Sequence, residues 1–284
     1  MSDFVILTDS SADLSADMVR DLGVQVLPLS FEMDEKIYHN YPDNREMDPH
    51  QFYELLRNGH TATTSAVNVA QYTELIEPLL QAGQDILILA FSSGLSTTFS
   101  SSAIAVDELR EKYPERKVCA SLGQGMLVWL AVQEQRKGRS IEEVRDWVVS
   151  HKLSICHQVT VNDLHFLKRG GRISATTAVV GSMLQIKPII HVDDEGHLIN
   201  IGKTRGRAAA LKALVDKMEL TAVDPADQTV FISHGDCLED AEMVAQMVRD
   251  RFGVQTIYIN YVGPVIGAHT GPGVVALFYV GSER

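Results

Sequence analysis

Residues 85 to 91 read DILILAF, an apolar run broken by no polar residue after its first position. Such a run fits a strand covered on both faces, and it is followed by SSGLSTTFSSSAIAVDELREK, a polar loop feeding a helix. Strand, turn and helix in that order make a βα unit, and the N-terminal half repeats the theme. FVILTDS is followed by an Asp- and Ser-rich helix start, a helix ending at Gly23, and the strand-like VQVLPLSF. DPHQFYELLRNG reads as a whole helix, with Asp48 as N-cap, Pro49 at the first helical position and Gly59 just past the end. The alternation predicts an α/β fold with a mainly parallel sheet in this half.

The pattern changes further on. SIEEVRDWVV carries a capping box, Ser140 with Glu143 three residues on, and Val144, Trp147 and Val148 share one helical face. KPIIHVDDEGHLINIGKTRG then reads as two strands joined by a turn at Asp194, Glu195 and Gly196, so antiparallel pairing enters. Helix, strand, helix and two more strands follow, in RAAALKALVDKMEL, QTVFISHG, EDAEMVAQMVRDRFG, QTIYINYVG and GVVALFYV. A chain of 284 residues suits two domains better than one or three. The expected division is residues 1–158, with the mainly parallel sheet, and 159–284, with a mixed sheet.

Charge narrows the function. The chain holds 25 Lys and Arg against 37 Asp and Glu, a formal net charge of -12, so its field repels nucleic acid and anionic membrane surfaces. The first residues, MSDFVILTDSS, lack the basic region and long apolar stretch of a secretory signal, and the apolar-rich run from Val118 to Val132 is interrupted by Gly123, Gln124 and Gly125. A cytoplasmic location is expected. Cys119, Cys156 and Cys237 lie far apart without metal spacing and read as buried free thiols, while His151, His157 and His165 show neither an HExxH pattern nor helical i, i+4 spacing. Neither a metal site nor a cofactor is expected.

Against that acidic background, four polar loops have unusual chemistry: TATTSA at 61–66, SSGLST at 92–97, LKRGGRIS at 167–174 and GPVIGAHTGPG at 263–273. The hydroxyls and backbone N–H groups of the first two could bind an oxyanion through neutral donors, or simply cap helices. Gly94 fits a tight turn there. SSGLST also approaches the G-x-S-x-G nucleophile elbow around Ser96, but Thr98 stands where the second glycine belongs. In LKRGGRIS, Gly170 and Gly171 permit positive φ and a nest of N–H donors, and Arg172 can grip a carboxylate or phosphate with two prongs. In GPVIGAHTGPG, His269 sits among small and rigid residues that hold one side chain in one place.

Together, LTDSSADL, TS followed by SSGLS, DLHFLKRGGRIS with IKPII, and GPVIGAHTGPG resemble the DegV family, the fatty-acid-binding proteins also called FakB. The likeness spans residues 7 to 273. It implies two α/β domains and an apolar tunnel for one long-chain fatty acid, its carboxylate near the domain interface. Carried over, Thr64, Ser65, Gly94 and Ser96 would be ligand contacts, with Thr64 and Ser96 bonding the carboxylate and Arg172 and His269 framing it. The resemblance further implies a non-catalytic carrier that hands its acyl group to a separate ATP-dependent fatty acid kinase of the DAK type, and a monomer is expected because nothing in the chain resembles a heptad seam or an exposed apolar stripe. The chain departs from the usual family pattern at Ala66 and Val67, at Thr97 and Thr98, and in Ser121 to Gly125.

The energetics agree with a carrier. At about 0.8 kcal/mol per buried CH₂, roughly 14 methylenes would gain on the order of 11 kcal/mol before ordering costs. A carboxylate enters a dry site only where donors replace its water, which gives a cationic loop a purpose in an acidic protein. Two other readings stand beside this one: a serine hydrolase using Ser96 and His269, and a binder of a phosphorylated metabolite.

Overall fold

The structure is a computed structural model that describes residues 4–122, 125–173 and 185–284. The chain forms two compact α/β units. Unit 1 comprises residues 1–30, 39–46 and 65–152, and unit 2 comprises 31–38, 47–64 and 153–284.

Unit 1 is built on a four-stranded, all-parallel sheet of β1 (Phe4–Asp9), β2 (Gln25–Leu27), β6 (Asp85–Ala90) and β7 (Val118–Leu122), ordered β2-β1-β6-β7. Its helices are α1 (Ala16–Leu22), α3 (Val69–Gln81), α4 (Thr98–Lys112), α5 (Met126–Arg136) and α6 (Ile141–His151). Ile86 through Ala90 are all fully buried, as expected of an inner strand of a parallel sheet. Tyr72 and Ile76 on α3, Val128 and Ala131 on α5, and Val144 and Val148 on α6 complete the core.

The α6 capping box forms as the sequence requires. Ser140 Oγ accepts from Glu143 N at 3.3 Å, and Glu143 Oε2 accepts from Ser140 N at 2.8 Å. Ser140→Ala leaves the first-turn N–H without its cap and should lower stability by about 1 kcal/mol. Urea unfolding at unchanged m-value would register that loss, and an unaltered midpoint would remove the cap from the list of stabilising contacts.

Unit 2 carries a six-stranded mixed sheet of β8 (Ile155–Thr160), β9 (Ile186–Val192), β10 (Leu198–Arg205), β11 (Thr229–His234), β12 (Thr256–Tyr261) and β13 (Val275–Val280). Their order is β10-β9-β8-β13-β11-β12, antiparallel throughout except for the parallel β11–β12 pair. On it lie α7 (His165–Arg169), α8 (Arg207–Thr221), α9 (Leu238–Phe252) and α10 (Pro264–Thr270). Leu211, Leu214, Val215 and Met218 of α8 pack with Val244 and Val248 of α9 over Ile232 and Leu277. A smaller cluster holds Val161, Leu164, Leu167, Ile190 and Val274.

The chain is not divided into two consecutive blocks. A small sheet of β3 (Ser30–Met33), β4 (Lys36–His39) and β5 (Ala62–Ser65), ordered β4-β3-β5, belongs largely with unit 2, as does α2 (Pro49–Arg57). Side chains remote in sequence decide this. Phe31 meets Phe52 edge to face at 5.4 Å, Tyr53 Oη donates to Val262 O at 2.8 Å, and the Arg57 guanidinium reaches Asp236.

Two of the four polar loops are regular structure. Residues 62–65 of TATTSA form β5, where β-branched threonines suit a pleated strand paired to β3. Residues 264–270 of GPVIGAHTGPG form α10, started by Pro264 at its first position and closed at Gly271. Among the described residues, no helix is long and apolar enough to cross a membrane.

Candidate functional site

His269 sits in the last turn of α10, and its Nε2 lies 2.8 Å from Thr64 Oγ1 on β5. Its Nδ1 edge faces Gly170, where a Cβ would fall onto Nδ1 itself. The imidazole is thus held between a hydroxyl and a residue with no side chain. Thr64 is half-buried and Ser65, next along the strand, is exposed, as alternation of side chains on a strand dictates.

The LKRGGRIS segment is a helix end rather than a nest. Gly171 N donates to Lys168 O at 3.0 Å and Arg172 N to Leu167 O at 2.9 Å, with Gly171 at φ 70°. This is a Schellman closure of α7, so the N–H groups expected to cradle an anion are satisfied by helix carbonyls. Ser174 lies outside the described residues. The side chains remain: Arg172 Nη1 donates to Gly170 O at 2.5 Å, and Arg169 Nη2 to Ala268 O at 3.5 Å while its guanidinium stacks over Phe166. Both arginines act on His269. Burial and then the fields of Arg172 and Arg169 lower its pKa to about 4, so it is neutral at pH 7.

In unit 1, SSGLST is a tight turn whose donors serve the turn itself. Leu95 N and Ser96 N both donate to Ser92 O at 3.1 Å, and Gly94 N donates to Ser92 Oγ at 3.2 Å. Ser96 Oγ accepts from Thr98 N at 3.2 Å and lies 2.9 Å from Thr98 Oγ1, which starts α4. The N–H groups of Gly94, Leu95 and Ser96 are therefore engaged locally, and the Ser96 hydroxyl takes the N–H of Thr98, the first residue of α4.

Sequence reasoning named no role for Asp9 or Arg169, and it assigned Gly170 to an anion nest, whereas Gly170 has φ −73° and its N–H donates to Phe166 O at 3.0 Å. Asp9 is fully buried at the end of β1; its Oδ2 accepts from Phe91 N at 3.1 Å and its Oδ1 from Ser11 N at 3.0 Å and from the Ser11 hydroxyl. It thereby ties the LTDSS segment to the first residue after β6. An aspartate at the carboxyl end of an apolar strand was the available signal. The parts that Arg169 and Gly170 play beside His269 were not legible, because they depend on α10 lying next to them.

Among the described residues, one group of three metal-ligating side chains comes together, and it lies within an ion-pair network. His50, Glu54 and Asp236 bring ligand atoms within 4.8 Å of one another, but Arg57 Nη1 lies 2.6 Å from Glu54 Oε1 and 2.5 Å from Asp236 Oδ2. A guanidinium already supplies the positive charge there. Cys119, Cys156 and Cys237 are free thiols, the first two buried and Cys237 half-buried.

Histidine burial sets a pH dependence. His269 is lowered to about 4, His157 to about 3 by burial, and His234 is lowered by burial as well. An unfolded histidine titrates near 6.5, so between about pH 6.5 and 4 the unfolded chain binds protons that the native one refuses. Their stabilising effect is complete above pH 6.5 and declines as pH falls. His50, raised by its hydrogen bond to Asp236, works in the opposite direction but is exposed. The urea midpoint should therefore drop from pH 7 to pH 5; a midpoint that holds or rises would contradict the neutral, buried assignment.

A unit on a parallel sheet interleaved with a unit on a mixed sheet defines a class, the two-unit α/β proteins of DegV architecture. Residues 3–282 match the family described as "Uncharacterised protein, DegV family". A DegV domain-containing protein of Clostridium perfringens is 46% identical over 290 residues, covering 100% of this chain and 99% of that one. The crystal structure of a DegV lipid binding protein from Thermotoga maritima superposes with TM-score 0.82 at 25% identity, covering 100% of both chains. A DegV family protein from Thermus thermophilus, described for its fatty acid binding, gives TM-score 0.82 at 27% identity over 98% of this chain and 99% of that one. The chain belongs to the DegV family.

Proposed function

We propose that this protein is a monomeric carrier that binds one long-chain fatty acid in an apolar tunnel and presents its carboxylate to a separate ATP-dependent fatty acid kinase. The observation that carries the reading is the frame of Thr64, His269 and Arg172. A carboxylate leaving water needs donors and positive charge. Arg172 and Arg169 supply the charge, and a neutral imidazole paired with a hydroxyl supplies directional donors without adding a third cation. The lipid and fatty acid binding described for the Thermotoga and Thermus proteins supports the ligand class. The kinase step rests on the resemblance of the motifs that form this frame.

The hydrolase reading finds no support in the geometry. The ring nitrogens of His269 face Thr64 and Gly170, whereas a catalytic histidine needs an orienting acid on one of them. The deciding experiment is native mass spectrometry of freshly purified protein, followed by denaturing extraction and mass identification of anything released. A one-to-one adduct at a fatty acid mass is expected. A protein that stays bare after incubation with fatty acids of varied length would sink the proposal.

A further inference from the structure

We propose that unit 2 carries an oxyanion site apart from the His269 frame, in which Lys187, Thr204 and Arg207 bind a small tetrahedral anion of the phosphate class. The topology assembles it. Thr204 on β10 is the ladder partner of Lys187 on β9, so their side chains leave the same face of the sheet. Arg207 begins α8 three residues later. Successive antiparallel steps from β10 through β9, β8 and β13 give β10 and β11 the same direction, so α8 and α9 both start at one end of the sheet. Open α/β sheets commonly place ligands at the carboxyl ends of strands. Both helices have 15 residues, and neither N-cap residue, Gly206 or Cys237, supplies a side-chain cap.

The side chains there have donors left over. Arg207 is clamped along one edge, where Nε and Nη2 each lie 2.8 Å from Asp240 Oδ2 and Nη2 is 3.7 Å from Cys237 Sγ. Among the described residues, its Nη1 and Thr204 Oγ1 are both buried without a hydrogen-bond partner. Lys187 Nζ donates one hydrogen, to Asn162 O at 3.1 Å. Burial and then the Arg207 field lower the Lys187 pKa, with Asp163 acting against them, so the two cations press on each other. Leaving a buried guanidinium N–H unpaired is expensive. The groups gathered here are an ammonium, a guanidinium edge and a hydroxyl, with the Asp163 carboxylate acting on Lys187 and Asp240 holding the other edge of Arg207. The complementary ligand is acceptor-only and negative, and a tetrahedral oxyanion offers acceptors in the several directions that a planar carboxylate lacks.

The test is calorimetric titration of the full-length protein with inorganic phosphate at constant ionic strength, with chloride as reference. Saturable one-to-one binding is expected, weakened about tenfold or more by Lys187→Gln and by Thr204→Val, and unchanged by Arg172→Ala. These two variants leave the Arg207–Asp240 pair intact, and circular dichroism should report a native fold. A parallel titration with glycerol 3-phosphate separates the sources. Tighter binding of the monoester assigns the site to a phosphorylated compound, and binding of free phosphate alone assigns it to the inorganic ion. Absence of saturable binding by both anions would overturn the inference. So would binding that Arg172→Ala abolishes while Lys187→Gln leaves it intact, because the anion would then sit at the His269 frame.

Discussion

Gly170→Ala should weaken fatty acid binding about tenfold to a hundredfold and lower the stability of the fold by about 1–3 kcal/mol. Gly170 has φ −73°, which alanine adopts without strain, and its N–H bond to Phe166 O would be kept. The effect comes from space alone. The new methyl would occupy the position of His269 Nδ1, so the imidazole must move and its 2.8 Å contact with Thr64 is lost. Overpacking of this kind costs the fold about 1–3 kcal/mol, while a displaced imidazole loses a hydrogen bond to a charged ligand, about 1.5–3 kcal/mol at about 1.4 kcal/mol per tenfold in affinity. Displacement of a fluorescent fatty acid measures the loss, with a thermal melt as control. The double variant Gly170→Ala with His269→Ala should bind no worse than His269→Ala alone. Undiminished affinity in Gly170→Ala would show that the imidazole position is irrelevant to the ligand.

The second large effect is expected from Arg172→Ala. A hydrogen bond to a charged group contributes about 1.5–3 kcal/mol, so losing the guanidinium should reduce fatty acid affinity by roughly ten- to a hundredfold. Kinase-dependent acyl phosphate formation should fall with it. A readout independent of the ligand accompanies this. Arg172 is, after burial, the largest influence lowering His269, so the His269 pKa should climb from about 4 when the guanidinium is removed. Titration of the imidazole by NMR in ligand-free protein tests that electrostatic link. If occupancy and turnover are both unaffected, Arg172 has no part in holding the carboxylate.

Element type was legible wherever a local rule governed it. The apolar run of β6, the Asp48 and Pro49 start of α2, the Ser140 capping box and the turn at Gly196 all form where the residues predict them. Local rules failed in the glycine-rich and hydroxyl-rich segments. GPVIGAHTGPG looks like a loop by composition, yet Pro264 starts a helix that packs beside α2, where Tyr53 Oη lies 2.6 Å from the Cβ position of Gly267. LKRGGRIS looks like an anion nest, yet its N–H groups close α7. Glycine pairs serve both purposes with the same backbone freedom, so only the position of neighbouring carbonyls separates them.

By itself the sequence determined the α/β class, the parallel sheet giving way to a mixed one, and Arg172 and His269 as residues of interest, while Thr64 was named through the family resemblance. Thr64 apart, those follow from periodicity, capping and residue chemistry, all of which act over a few neighbouring positions. Tertiary structure alone decided that β3, β4, β5 and α2 join unit 2, that Gly170 makes room for His269, and that two arginines keep that imidazole neutral. Each of these depends on contacts between residues tens to hundreds of positions apart, as in the bond from Thr64 to His269. Burial and Coulomb fields act through space, and a pattern read along the chain has no access to them until the fold has set the distances.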